Sequence, residues 1–161
     1  MIDPAVTVHE AGHAVVARVC GLGVARASAG RDPCVTTVLP NDLSPAKRDV
    51  LRFVARTLVD LAGAAAEARA FGMIAVDAVR SDEQNAHWRA LQFLRLARGI
   101  GDRPLTAEER ATCERLVARF RPTAAKLVEQ NWPSIEAVAA ALAEGRTLNG
   151  DEVDGLMAGT T

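Results

Sequence analysis

Two histidines four residues apart, with a glutamate directly after the first, form the densest chemistry in the chain: His9-Glu10-Ala11-Gly12-His13. On a helix of about 3.6 residues per turn, positions four apart share a face, so His9 and His13 can present two imidazole nitrogens to one tetrahedral Zn²⁺. Glu10, next to the first ligand, can take the proton of a zinc-bound water, the general-base role in metal-assisted hydrolysis. The chain has three histidines in all, and two of them sit here. A catalytic zinc keeps one position open for water, so one further protein ligand is needed. By chemistry the candidates are Asp60, Glu67, Asp77, Asp82, Glu83 and His87, and spacing alone does not choose among them. In favour of Asp82, the first turn of a helix suits a carboxylate electrostatically.

The elements that must position these residues are readable from caps and breaks. Asp3 before Pro4 is a helix start, with an N-cap oxygen and then proline at the first helical position. The helix is expected to run to about Cys20, with Gly21 and Gly23 ending it. Val8, Val15, Val16 and Val19 can face the core, and the small Ala11 and Gly12 let another element approach closely. Val24 to Ala29 and Cys34 to Leu39 flank the turn-rich Gly30-Arg31-Asp32-Pro33 and read as a short β-hairpin or two edge strands. Such an edge beside a zinc helix can hold an extended peptide by backbone hydrogen bonds, although a purely structural hairpin fits the local sequence equally well.

Ser44-Pro45 repeats the cap-and-proline start for a long helix to about Phe71. Val50, Leu51, Val54, Leu58 and Leu61 keep helical spacing on it, and the cluster Ala62-Gly63-Ala64-Ala65-Ala66 allows tight contact with the first helix. Gly72 ends this helix, and a loop is expected from there to Arg80. Ser81 with Gln84 reads as a capping box opening a helix to about Arg98, on which Trp88, Leu91, Phe93 and Leu94 read as core. Thr106 with Glu109 caps another helix, which Pro122 is expected to kink or split. Further helices follow Trp132-Pro133-Ser134 and the Asn149/Glu152 cap. The fold class is therefore mainly α with a small β-hairpin or edge-strand element, in one domain spanning 1–161.

Composition sets limits on function. A net charge of −1 argues against a dedicated nucleic-acid binder. Arg115, Arg119, Arg121 and Lys126 alternate with Glu108, Glu109, Glu114 and Glu129 as a solvated helix face would. Cys20, Cys34 and Cys113 form no C-x-x-C pair and suggest reduced thiols in a cytoplasmic protein. Neither a signal peptide nor a membrane span is expected, because the apolar run Ala14 to Cys20 is short and interrupted by Arg18.

The segment His9 to Ala17 resembles the zinc motif of the FtsH-type ATP-dependent metalloproteases, which read His-Glu-Ala-Gly-His-Ala followed by apolar residues. The resemblance continues in the family's order. Val38-Leu39-Pro40-Asn41-Asp42 is similar to its substrate-side strand, and Leu61 to Glu67 with Phe71-Gly72 to its Leu-Gly-Gly-Arg-x-Ala-Glu-Glu and Phe-Gly. Asp82 with Ala86 is similar to its Asn-Asp-x-x-x-Ala, and Leu148 to Val153 to its closing Leu-x-Gly-x-Glu-Ile. It implies a helical zinc-metallopeptidase fold, zinc held by His9, His13 and Asp82, and Glu10 as base. Departures are Ala78-Val79-Arg80-Ser81 in place of Gly-Ala-Ser-Asn, Ala64 in place of the Arg, and Ala68 in place of the second Glu. Glu67 and Asp77 stay open as alternatives to Asp82.

No G-x-x-x-x-G-K-[ST] loop occurs, so the ATPase module of the family has no counterpart here. The expectation is a stand-alone zinc metalloendopeptidase acting on peptides or unstructured protein segments, or one served by a separate unfoldase. Two rivals accompany it: a non-catalytic peptide-binding or regulatory module of the same fold, and a zinc hydrolase acting on other acyl bonds. His87 is the only spare histidine and reads as a helix-surface or packing residue. Family members form rings, so the resemblance also implies a homo-oligomer of unspecified number.

Overall fold

The computed structural model describes residues 2–40, 44–72 and 76–160, and of positions 46, 47, 50 and 76–80 it describes the backbone only. Asn41 and Asp42, and the side chains of Val50 and Asp77, thus lie outside the described residues.

Helix α1 (Pro4–Val19) starts as its sequence dictates: the Asp3 carboxylate accepts a hydrogen bond from the Ala5 amide, and Pro4 occupies the first turn. Gly21, at φ 80°, then turns the chain into strand β1 (Gly23–Ser28). Strand β2 (Cys34–Val38) pairs antiparallel with β1, from Gly23 opposite Val38 to Ser28 opposite Cys34, with a bulge at Ala25. The hairpin expected from the turn residues is present, and its β1 side is covered in part by Leu148, which exchanges backbone bonds with Ala27.

The long helix after Ser44 is continuous but not uniform. It runs as α2 (Pro45–Val50), a π-helical turn (Leu51–Ala55) and α3 (Arg56–Phe71), which Gly72 closes in the left-handed conformation at φ 68°. The wide turn, where Thr57 Oγ1 donates to the Phe53 carbonyl at 2.5 Å, changes the phase of the helix face that follows.

Helix α4 spans Val76–Arg98, so the segment 76–80 expected as loop is helical. Ser81 is therefore not a cap, and Asp82 stands in the second turn, which removes the helix-terminus argument for that carboxylate. Of the four apolar residues expected as core on α4, Leu94 is buried and Leu91 partly so, whereas Trp88 (56%) and Phe93 (39%) are exposed. Trp88 lines a hollow with Arg56 and Gln92, and Phe93 tilts against Phe53 at 5.8 Å between ring centroids, so each is covered on one side only.

Helix α5 (Ala107–Gln130) opens on the complete Thr106/Glu109 capping box and passes through Pro122 without splitting. Pro122 sits on the exposed face of this helix beside Arg115, Arg119, Arg121 and Lys126, which are exposed as expected. Helices α6 (Trp132–Ala143) and α7 (Gly150–Ala158) complete the chain, α7 with the complete Asn149/Glu152 box. Arg18 on α1 pairs with Asp154 on α7.

The molecule is thus mainly helical with one two-stranded sheet among the described residues. Its core surrounds α1, where Val15 and Val16 are fully buried in one cluster with Ile135, Val138 and Leu142; each such side chain contributes about 1.5–3 kcal/mol by leaving water. Val19, expected in that core, lies at the end of α1 and is 41% exposed. The expected tight contact of α1 with α3 is present at Gly12. A Cβ there would come within 2.8 Å of Ala66 Cβ and 2.9 Å of the Ala62 carbonyl oxygen. That close approach brings α3 against the histidine face of α1. No helix among the described residues is long and apolar enough to cross a membrane.

Candidate metal centre

His9 and His13 emerge one helical turn apart from α1 and meet Asp82 from α4. The Nε2 atoms of the two histidines are 2.9 Å apart, and Asp82 Oδ2 lies 2.9 Å from His9 Nε2 and 3.2 Å from His13 Nε2. The rings stand edge to face at 81°. A tetrahedral zinc with metal–ligand bonds of about 2.0–2.1 Å spaces its ligands about 3.3 Å apart. The three atoms nearly form one face of such a tetrahedron.

What lies behind each ring fixes which nitrogen is free. His9 Nδ1 is 2.5 Å from Glu67 Oε1, and His13 Nδ1 is 2.6 Å from the Val59 carbonyl oxygen. Both partners are acceptors, so in a neutral imidazole the proton sits on Nδ1 and the lone pair on Nε2. Two nitrogen lone pairs and a carboxylate oxygen then converge on one point. Three acceptors with no donor between them require a cation, either a proton or a metal ion. A carboxylate and a backbone carbonyl behind ligating histidines are also the usual means of orienting such ligands.

The electrostatics agree. Burial alone would lower the His13 pKa, but the hydrogen bond and charge of Asp82, aided by Glu10 and the Val59 carbonyl, outweigh it and hold it up at about 9. Burial likewise pushes the Asp82 carboxyl up, yet its bonds to His13 and His9 hold it well below the usual carboxylate range. The site thus favours positive charge opposite a retained carboxylate.

Glu10 is buried next to this triangle and has no hydrogen-bond partner among the described residues. Burial raises its pKa, and the nearby His13 and His9 pull it only part of the way back. It lines a cleft of about 370 Å³ together with the two histidines, Asp82 and residues of β2.

Among the described residues no other candidate joins the three converging atoms, and the side chain of Asp77 lies outside those residues. Glu67 stands behind His9 rather than beside the Nε2 atoms. Asp60 is bound by Arg89 at 2.6 Å, and Glu83 pairs with Arg121 at 2.8 Å. His87 turns its Nδ1 to the Glu83 carbonyl of its own helix at 2.8 Å and is outside the cleft, in keeping with a packing role.

Gly63 was not foreseen as part of the site. A Cβ on it would lie 2.6 Å from His9 Nε2 and 2.6 Å from His13 Nε2, so only glycine lets α3 lie against both rings. Val59, Gly63 and Glu67 recur every four residues, which puts a carbonyl acceptor, an open face and a carboxylate on one stripe of α3. A glycine four positions before a glutamate, in a helix expected to pack on the histidine helix, was the available signal.

Neither a protein-family model nor a curated protein matches the chain. The geometry of the site therefore carries the functional argument.

Proposed function

We propose that the chain is a zinc metalloendopeptidase that hydrolyses peptides or unstructured protein segments. The observation that carries this reading is the convergence of His9 Nε2, His13 Nε2 and Asp82 Oδ2, with the Glu10 carboxylate, unpaired among the described residues, beside them in one cleft. Two imidazoles and one carboxylate are a donor set that suits zinc. His9, His13 and Asp82 would hold the ion, which supplies Lewis acidity toward a carbonyl and acidifies water.

The chain's own residues supply the rest. Glu67 and the Val59 carbonyl keep both rings in the ligating tautomer. Glu10 accepts the proton of the attacking water and returns it to the leaving amine, and its raised pKa suits it to both transfers. A residue needed only to bind metal would not explain Glu10, which touches neither histidine by a hydrogen bond.

The hairpin supports a peptide as substrate. Ala27 gives both its backbone groups to Leu148, on the side of β1 away from β2. In an antiparallel ladder its partner Val35 then turns its own N–H and C=O to the outer edge of β2. Val35 and Thr37 line the cleft, so an extended peptide that added to this edge would lie across the metal centre. The resemblance of His9 to Ala17, and of the segments after it, to the FtsH-type proteases supports the same fold, chemistry and third ligand. No G-x-x-x-x-G-K-[ST] loop lies within these 161 residues, so nucleotide-driven unfolding, where it occurs, is supplied from outside them.

Glu10→Gln tests the reading against a peptide-binding module of the same fold. The variant is expected to keep its zinc and its peptide affinity while cleavage of an unfolded, casein-like substrate falls by a factor of about 100 or more, the scale of a lost general base. Unchanged cleavage by Glu10→Gln would refute the mechanism.

A further inference from the structure

A second hollow of about 400 Å³ opens off the metal cleft and shares Arg56 and Arg89 with it. Its walls carry three arginines, Arg52, Arg56 and Arg89, with Phe53, Trp88 and Gln92, and no carboxylate among the described residues. Arg89 is committed to Asp60, by bonds of 2.6 and 3.4 Å. Arg56 is compensated only through space, by the charge of the same Asp60. Among the described residues it forms no ion pair, its one hydrogen bond goes from Nη2 to the Thr37 carbonyl at 3.2 Å, and its Nε is buried without a partner. Burial, together with the neighbouring charges of Arg89 and Arg52, lowers the Arg56 pKa, so these cations repel one another across the hollow.

Two half-buried guanidinium groups, Arg56 and Arg89, beside the exposed Arg52 favour an anion, and the planar fork of arginine matches a carboxylate best. The bond from Arg56 to Thr37 ties this cluster to the strand on which the substrate would lie. Trp88, 56% exposed on the rim, offers an apolar wall to the stem of a side chain.

The geometry points to a carboxylate-binding subsite in this hollow, built on Arg56 with Arg52 and Arg89, which gives the proposed peptidase a preference for acidic peptides. The inference rests on the peptidase reading for its substrate but not for its anion site. The carboxylate comes either from an Asp or Glu side chain or from the C-terminus of the peptide. Both carry the same group, and paired substrates tell them apart.

The test uses unstructured fluorogenic peptides that differ only by Glu or Gln at one position near the scissile bond, or only by a C-terminal acid or amide. In wild type, kcat/KM is expected to favour one acidic member over its neutral twin by tenfold or more. The ratio should collapse toward one in Arg56→Gln and in Arg52→Gln, survive in part in Arg56→Lys, and shrink with added salt. Arg52 is exposed, so its variant tests the site without disturbing the fold. Equal kcat/KM for every pair in wild type, or a preference that persists in both glutamine variants, overturns the inference and leaves the peptidase standing.

Binding of the same peptides to Glu10→Gln, read by fluorescence anisotropy, separates the two claims. If wild type cleaves nothing while the acidic peptide still binds more tightly through Arg52 and Arg56, the peptidase reading fails and the anion site stands. Equal binding of acidic and neutral peptides overturns the anion site.

Discussion

Replacing Gly63 with alanine tests how tightly the metal centre is built into the packing of α3 on α1. The new methyl would sit 2.6 Å from both ligating nitrogens, about 0.8 Å inside an ordinary contact. Backing the helix away would lift Ala62 and Ala66 off Gly12 and lose the packing contacts at the closest approach of the two helices. The displacement therefore falls on the imidazoles, and metal–ligand bonds tolerate only about 0.2 Å. Zinc affinity is expected to fall a hundredfold or more, which corresponds to about 2.8 kcal/mol. In the metal-free chain the exchange of glycine for alanine favours the helix by about 1 kcal/mol, against an overpacking cost of about 1–3 kcal/mol. The melting temperature without metal should then move by no more than about 8 °C. Competition with a calibrated chelator gives the affinity, and a thermal melt in EDTA gives the stability. If Gly63→Ala binds zinc as tightly as wild type, the ligand geometry described here is wrong.

Three further outcomes follow from the surroundings of the site. Glu67→Gln keeps a side chain of the same shape but removes the carboxylate behind His9, and zinc affinity in chelator competition should fall about 10–100-fold with the fold retained by circular dichroism. Because burial raises the Glu10 pKa and the base must be ionised, kcat/KM should fall as pH drops through a value above the ordinary 4.5, visible as the acid limb of the pH profile. The metal-free chain should show the opposite edge in denaturant titrations. His13 has a folded pKa of about 9, above its ordinary 6.5, so its contribution to stability is complete below pH 6.5 and is lost as pH rises toward 9.

Local chemistry made much of this molecule readable in advance. Asp3-Pro4, Thr106/Glu109 and Asn149/Glu152 form caps from residues within four positions of one another, and each appears where the sequence puts it. The His9, Glu10 and His13 cluster is equally local, because one helical turn suffices to bring the two rings together. What depends on packing was less legible. Ser81 to Gln84 has the residues of a capping box, but α4 begins at Val76 and carries those residues inside it. Asp82 could be singled out only through the resemblance, since its approach to α1 depends on how α4 lies on α3. Trp88 and Phe93 have helical spacing with Leu91 and Leu94, yet only part of that stripe meets a neighbour. The roles of the Val59 carbonyl and Gly63 arise from contact between residues of two helices that lie more than forty positions apart in sequence, such as His13 and Val59, and no local pattern names a backbone oxygen as a partner.

The central claim is that three side chains hold one metal ion, and metal content per chain tests it most directly. Purified wild type, loaded with zinc and then freed of excess ion, should carry about one zinc per chain, and Asp82→Ala and His13→Ala should each lose it while Glu10→Gln retains it. Wild type that takes up no zinc, or an Asp82→Ala variant that binds it undiminished, would contradict the account.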